Sequence, residues 1–348
     1  MMIFKNTVIT GLTSFLPEKR LSSEALELKL SPVYERLRLP QGRLELMTGI
    51  KERRLWDPGT RPSDLSTQAA NKLFEENQID RNEIDLLIHA SVCRDFLEPS
   101  TASVVHSNLE LSPHCQIFDL SNACLGVLSS LNVAANMIES GAIKNALIVS
   151  GENGGPLVQQ TIEFLNSNTE LTRKNIKKYI ANLTIGSAAF AIMLSNKDEA
   201  TKDGTHYPSL KMIQSRTDSS ANVLCQGDGD TTSLMMETDS EELMQAGVKL
   251  AKETFELFLQ NIGWEREDID YAIGHQVGSA HESLMKKTLN IEEIPTHTTY
   301  EYLGNTGSAA CPVTLFDLTQ QKEIAPGSKI ALLGIGSGLH SQMIGVEW

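Results

Sequence analysis

Arg81-Asn82-Glu83-Ile84-Asp85-Leu86-Leu87-Ile88 is echoed further along the chain by Arg266-Glu267-Asp268-Ile269-Asp270-Tyr271-Ala272-Ile273, an offset of 185 residues (269 minus 84). The same offset pairs Ala146-Leu147-Ile148 with Ala331-Leu332-Leu333, and Gly151 with Gly336. One shift that aligns two separated, strand-like apolar runs points to a duplicated unit. Around each copy the pattern is the same. A polar-faced helical stretch (63–76; 240–261) precedes an apolar strand (84–91; 269–277), and a second helix and a second strand follow. Strands alternating with helices of this length predict α/β layering with mostly parallel sheets. Short apolar strands such as 146–150 are expected to be buried on both faces. The expected halves are residues 1–200 and 201–348. The polar, Asn- and Lys-rich stretch 154–181 has no counterpart in the second half and reads as an insertion, a lid or a dimer arm.

The repeat also singles out chemistry. Ser121-Asn122-Ala123 is a small-residue turn, and after Cys124 an apolar run from Leu125 to Ile138 reads as a helix. A helix N-terminus carries partial positive charge and unpaired N–H groups, so a thiol there is expected to ionise more readily. The offset carries Cys124 onto Ala309, inside Gly304-Asn305-Thr306-Gly307-Ser308-Ala309, so two equivalent helix starts are expected to face one centre. It carries His275 onto Ala90, at the end of the repeated strand, where side chains of α/β folds reach the ligand crevice.

Composition narrows the function classes. The chain has 348 residues, 41% of them hydrophobic, enough for a large core. Its formal net charge of −14 argues against non-specific nucleic-acid binding. A polyanionic small molecule needs only a local basic patch, for which residues 51–54 and 174–178 are candidates. The five cysteines are scattered, without the spacing of a disulfide framework or a zinc site, so no metal is expected. With neither an apolar leader nor an 18-residue apolar window, the sequence predicts no transmembrane segment and a cytoplasmic location.

Asn122-Ala123-Cys124-Leu125-Gly126, His275-Gln276-Val277 and Gly304-Asn305-Thr306-Gly307 together resemble the Cys-His-Asn triad of the thiolase-superfamily condensing enzymes, ketoacyl synthase III type. The resemblance runs essentially the full length, through the glycine-rich Gly334-Ile335-Gly336-Ser337-Gly338-Leu339. It implies a five-layered αβαβα fold of two similar halves and a homodimer. It also implies catalytic Cys124, His275 and Asn305, with an oxyanion hole from the N–H groups of Cys124 and Gly338. Residues 53–57 and 91–103 are similar to the olefin-biosynthesis acyl-CoA condensing enzymes, which join two fatty acyl-CoA molecules head to head. That likeness assigns Glu98 as the base, reaching across the dimer interface, with burial raising its pKa. Gly126-Val127 and Asn305-Thr306-Gly307-Ser308 lean instead toward the initiation enzymes.

The expected reaction is therefore a non-decarboxylating Claisen condensation giving a 2-alkyl-3-oxoacyl product. Coenzyme A thioesters serve as substrates, and no cofactor is permanently bound. The alternatives are a decarboxylating synthase III that takes malonyl-acyl carrier protein, simple acyl transfer or thioester hydrolysis through Cys124, and a non-catalytic acyl-binding paralogue. Chemistry separates the first two. A malonyl thioester generates its carbanion by losing carbon dioxide, whereas an ordinary acyl-CoA requires a positioned base.

Overall fold

The computed structural model describes residues 2–228 and 234–348. Its spine is a ten-stranded sheet. From one edge the strands run Tyr271–Gly274, Lys329–Gly336, His340–Glu347, Ser209–Thr217, Thr7–Phe15, Ala188–Asn196, Asn145–Glu152, Leu86–His89 and Gln116–Asp119, with Met2–Ile3 paired to Ser209–Thr217. The two halves of the sheet meet between Thr7–Phe15 and Ser209–Thr217, through the single residue pair Val8 and Ser209.

Strand alternation sorts the core into layers, because successive side chains point to opposite faces. Leu86, Ile88, Ala146 and Ile148 from the first half and Ile330, Leu332, Ile344 and Val346 from the second converge on one cluster. That cluster includes the helices Gly126–Glu139 and Ala310–Gln321. The alternate residues face outward. Leu87, Leu147 and Val149 pack under the helices Pro62–Asn77 and Thr101–Asn108, while Ala331, Leu333 and Met343 pack under Ser240–Ile262 and Ser279–Leu289. Helix, half-sheet, helix pair, half-sheet, helix is the five-layered order that the family resemblance implies.

The repeat extends to individual hydrogen bonds. Ile84 and Ile269 each follow a single 3-10 turn, both with φ −82° and ψ 113°. The Asp85 Oδ2 accepts the Lys144 N–H at 2.7 Å, and the Asp270 Oδ2 accepts the Lys329 N–H at 2.8 Å, again 185 residues apart. These short carboxylates pin each buried strand to its neighbour, which is why the motif is visible in the sequence.

The expectation of a mostly parallel sheet is corrected. Among the described residues only the ladders joining Leu86–His89 to its two neighbours and Tyr271–Gly274 to Lys329–Gly336 are parallel, and the central strands are antiparallel. Connection length explains one case directly. Lys329–Gly336 returns as His340–Glu347 through the three residues 337–339, too short for a parallel crossover. At the equivalent place in the first half, residues 153–187 intervene. They form the helix Gly155–Ser167 and the 3-10 stretch Asn175–Thr184, whose Val158, Ile162, Leu165 and Ile176 pack against the N-terminal helices through Leu26, Leu30 and Val33. No helix among the described residues is long and apolar enough to cross a membrane.

Candidate active site

Cys124 stands immediately before the first turn of the helix Gly126–Glu139. The preceding Ala123 adopts a left-handed conformation, φ 45°, which costs an L-residue about 1 kcal/mol and turns the chain sharply into the helix. The N–H of Leu125 then donates to the Asn122 carbonyl at 2.9 Å. Leu125 itself is buried, and the glycine-rich strand Lys329–Gly336 lies directly against it. A Cβ on Gly336 would sit 3.0 Å from Leu125 Cγ, and one on Gly334 would sit 2.7 Å from Leu125 Cδ2. This close approach brings the turn 337–339 toward the helix mouth at Cys124. Gly338 in that turn has φ +78° with open space beside it, so glycine is favoured there by backbone conformation rather than by crowding.

The second helix mouth meets the first. A Cβ on Gly126 would lie 3.3 Å from Ser308 Cβ, and the Ser308 hydroxyl donates to the Ala90 carbonyl at 2.6 Å. Asn305 is fixed through its backbone, its N–H donating to Thr184 O at 2.9 Å and its carbonyl accepting from Gly186 N–H at 2.9 Å. Its side-chain Oδ1 accepts the Gly307 N–H at 3.1 Å, which orients the amide and turns Nδ2 away as a donor.

His275 follows the strand Tyr271–Gly274 and is held by its N–H donating to Leu333 O at 3.1 Å. The adjacent Gln276 accepts the N–H groups of Thr299 and Tyr300, fixing the chain just before Asn305. His275 is buried, and burial, then the neighbouring His281, push its pKa down to about 3. The ring is therefore neutral at ordinary pH, suited to donating a hydrogen bond rather than to carrying charge. His281 is itself lowered by burial to about 4. Nothing in the sequence distinguished it from the other histidines, because its burial beside His275 arises only in the fold.

The expectation of a readily ionised thiol is overturned. Burial, then the Glu152 carboxylate, then Cys225 push Cys124 up to about 12, while its own backbone N–H opposes them. The helix mouth favours the thiolate, but desolvation and a neighbouring negative charge outweigh it.

Glu98 lies in the segment 92–100, which is tied down on both sides. Glu152 accepts the N–H groups of Val92 and Cys93 at one end. Asp95 caps the helix Pro62–Asn77 through the Ser63 N–H at 2.9 Å and hydroxyl at 2.6 Å, and Ser100 caps the helix Thr101–Asn108. Between these anchors Phe96, Leu97, Glu98 and Pro99 protrude, Leu97 with 87% of its surface exposed. In the single chain Glu98 is exposed.

The basic run 51–54 does not form a patch. Arg53 is 1% exposed and donates to Leu21 O and Ser23 Oγ, while Lys51 pairs with Glu301. In 174–178, Lys178 pairs with Glu237 and Ile176 is buried. Among the described residues no group of His, Cys, Asp or Glu is placed to hold a metal ion.

Residues 118–207 match the family model of 3-oxoacyl-[acyl-carrier-protein] synthase III, and residues 259–348 match the model of its C-terminal part. The chain is 38% identical, over the full length of both proteins, to the acyl-CoA:acyl-CoA alkyltransferase of Xanthomonas campestris pv. campestris. It is 27% identical to the beta-ketoacyl-[acyl-carrier-protein] synthase III of Clostridium tetani, over 88% of this chain and 89% of that one. Among solved structures, a cysteine-to-serine form of Xanthomonas campestris OleA with bound lauric acid and lauroyl-CoA superposes with a TM-score of 0.93 at 36% identity, covering 99% of this chain and all of that one. Duplicated five-layered fold, opposed helix mouths and full-length likeness agree: the chain belongs to the synthase III-like condensing enzymes of the thiolase superfamily, on the side of the acyl-CoA:acyl-CoA alkyltransferases.

Proposed function

We propose that this protein condenses two fatty acyl-CoA molecules without decarboxylation. The observation that carries the reading is the full-length 38% identity to an acyl-CoA:acyl-CoA alkyltransferase, against 27% to a ketoacyl synthase III. The lauroyl-CoA bound by OleA supports a coenzyme A thioester as the substrate.

In the first half-reaction the Cys124 sulfur attacks the thioester carbonyl of one acyl-CoA. Its proton leaves with coenzyme A, which departs as the free thiol, and the acyl group remains on Cys124. The N–H groups of Cys124 and Gly338 are proposed to hold the tetrahedral oxyanion, a pair worth a few kcal/mol of barrier. In the second, Glu98 removes the α-proton of another acyl-CoA. The resulting enolate oxygen is met by His275 Nε2–H and Asn305 Nδ2, and its α-carbon attacks the acyl carbonyl on Cys124. Carbon–carbon bond formation expels the cysteine sulfur as thiolate and leaves a 2-alkyl-3-oxoacyl-CoA, and the proton taken by Glu98 restores the thiol and frees the carboxylate.

Glu98 is proposed to act in the partner's site of a homodimer. Its exposure beside Phe96 and Leu97, on a segment anchored at both ends, supports a surface that is covered by a second copy. The halves 1–200 and 201–348, with 154–181 inserted in the first, are the corresponding proposal for domain organisation. A cytoplasmic location accompanies it.

Mass spectrometry of products from the purified enzyme given a long-chain acyl-CoA alone tests the reading. A head-to-head β-keto product, lost in Glu98→Ala and Cys124→Ala, is expected. Product and carbon dioxide appearing only with malonyl-acyl carrier protein, with Glu98→Ala still active, would overturn it in favour of the decarboxylating reaction.

A further inference from the structure

The last residue of the strand Asn145–Glu152 carries a buried carboxylate, 3% exposed, to which the reaction above gives no role. Its Oε1 accepts the Val92 N–H at 2.9 Å and the Ser308 N–H at 3.0 Å, and lies 2.7 Å from the Ser308 hydroxyl, whose one proton it shares with the Ala90 carbonyl. Its Oε2 accepts the Cys93 N–H at 3.3 Å. Every one of these donors is neutral, and they come from two segments that meet nowhere in the sequence. Val92 and Cys93 begin the loop that presents Glu98, and Ser308 lies three residues beyond Asn305.

The neighbourhood has no slack. A Cβ on Gly307 would come within 2.8 Å of Glu152 Oε1. Behind Ser308 runs a chain of buried polar groups, Ser308 Oγ to Ser150 Oγ at 3.0 Å, Ser150 to Ser91 Oγ at 3.1 Å, and Ser91 to His89 Nε2 at 3.3 Å. A buried, fully satisfied polar network of this kind rigidifies what it joins.

We propose that Glu152 is a positioning residue for the condensation step: a single carboxylate that locks the loop presenting Glu98 to the loop presenting Asn305, beside Cys124. The proposal rests on the acyl-CoA reading above. Misplacing a reacting group by about 1 Å costs roughly 100-fold in rate, so an anchor that sets Asn305 in its own site and, across the dimer, Glu98 in the partner's has a kinetic consequence in both. The charge has a second consequence. Among the described residues the titratable groups acting on Cys124 are Glu152 and Cys225, and both hold its thiol up. Burial is the larger cause and the carboxylate adds to it, a contribution that a neutral amide in the same place could not make.

Glu152→Gln and Ser308→Ala, in the full chain, test this with two readouts. Intact-mass kinetics follow acylation of Cys124 and product formation separately, and iodoacetamide labelling follows Cys124 alkylation against pH. In Glu152→Gln, product formation is expected to fall roughly 10- to 100-fold with acylation nearly retained, and the alkylation midpoint to move to lower pH. Ser308→Ala, which removes one donor and keeps the charge, should slow condensation and leave the alkylation midpoint in place. Equal loss of acylation and condensation, or an unmoved midpoint in Glu152→Gln, would overturn the proposal. Absence of β-keto product from the wild type would instead refute the acyl-CoA reading, and the alkylation profile, needing no substrate, would still decide the hold of Glu152 on Cys124.

Discussion

Gly336→Ala should disturb Cys124, the proposed nucleophile, through the neighbouring Leu125. The backbone at Gly336 is not left-handed, so a new methyl meets only what lies in its path. That is Leu125, with Cγ at 3.0 Å, Cδ1 at 3.4 Å and N at 3.7 Å. Ordinary carbon contacts begin near 3.5 Å, so Leu125 must yield by about half an ångström. It is buried, and its backbone is the link between Cys124 and the helix Gly126–Glu139. Overpacking of this kind costs about 1–3 kcal/mol. Leu125→Ala alone should cost about 2–5 kcal/mol through the cavity it leaves. The two changes share that cavity, so the double variant should be more stable than the sum of the singles implies by about 1 kcal/mol or more. Urea unfolding of the four proteins measures the cycle, and acylation of Cys124 by an acyl-CoA should be slowed in Gly336→Ala and partly recovered in the double variant. Additive stabilities with unimpaired acylation in Gly336→Ala would refute the argument that the glycine strand sets the nucleophile's position.

Two further outcomes follow from the surface and from the buried rings. By light scattering the wild type is expected to give a particle of two chains and Leu97→Asp one of a single chain, 38.2 kDa, with condensation abolished while Cys124 still acylates; equal masses for the two proteins would remove the basis for Glu98 acting in trans. His89, His275 and His281 are lowered by burial to about 4, 3 and 4, so their contribution to stability is complete above the unfolded value near 6.5 and is lost as pH falls toward those values. Each can remove up to about 1.4 kcal/mol per pH unit, and Tm should drop steadily from pH 6.5 to 4; a flat Tm across that window would contradict neutral burial of all three.

The parts legible in the sequence were those made by local chemistry. The helix after Cys124 shows as an apolar run, and the repeat shows because each copy uses the same Asp, at 85 and 270, to bind the strand beside it. Long-range contacts left no such trace. Glu152 ends an apolar strand, and its partners lie 60 and 156 residues away, so no local pattern marks it. Arg53 sits in a run of charges that suggests a basic surface. Strand pairing of Glu52–Arg54 with Arg20–Ser22 instead turns that one side chain inward and leaves its neighbours half-buried. The thiol of Cys124 departs from its local pattern for the same reason. The helix mouth is visible in the sequence, but the burial and the carboxylate that outweigh it are products of folding.

The duplicated frame explains why a site forms here and also why it forms only once. Twofold repetition delivers two helix mouths and two strand ends to one centre, but the side chains there are not repeated. Cys124 is matched at the equivalent position by Ala309 and His275 by Ala90, both alanines fully buried, while Asn305 is matched by Leu120. Those alanines, with Gly126, let the opposed segments close to contact: a Cβ on Gly126 would touch Ser308 Cβ at 3.3 Å and the Ala90 carbonyl carbon at 3.4 Å. A second asymmetry acts on the connections. Three residues close the turn at Gly338, while residues 153–187 occupy the equivalent place in the first half, and Thr184 and Gly186 at their far end bind the backbone of Asn305. The symmetric layers supply rigidity, and the departures from symmetry supply room, a nucleophile on one side and its hydrogen-bond donors on the other.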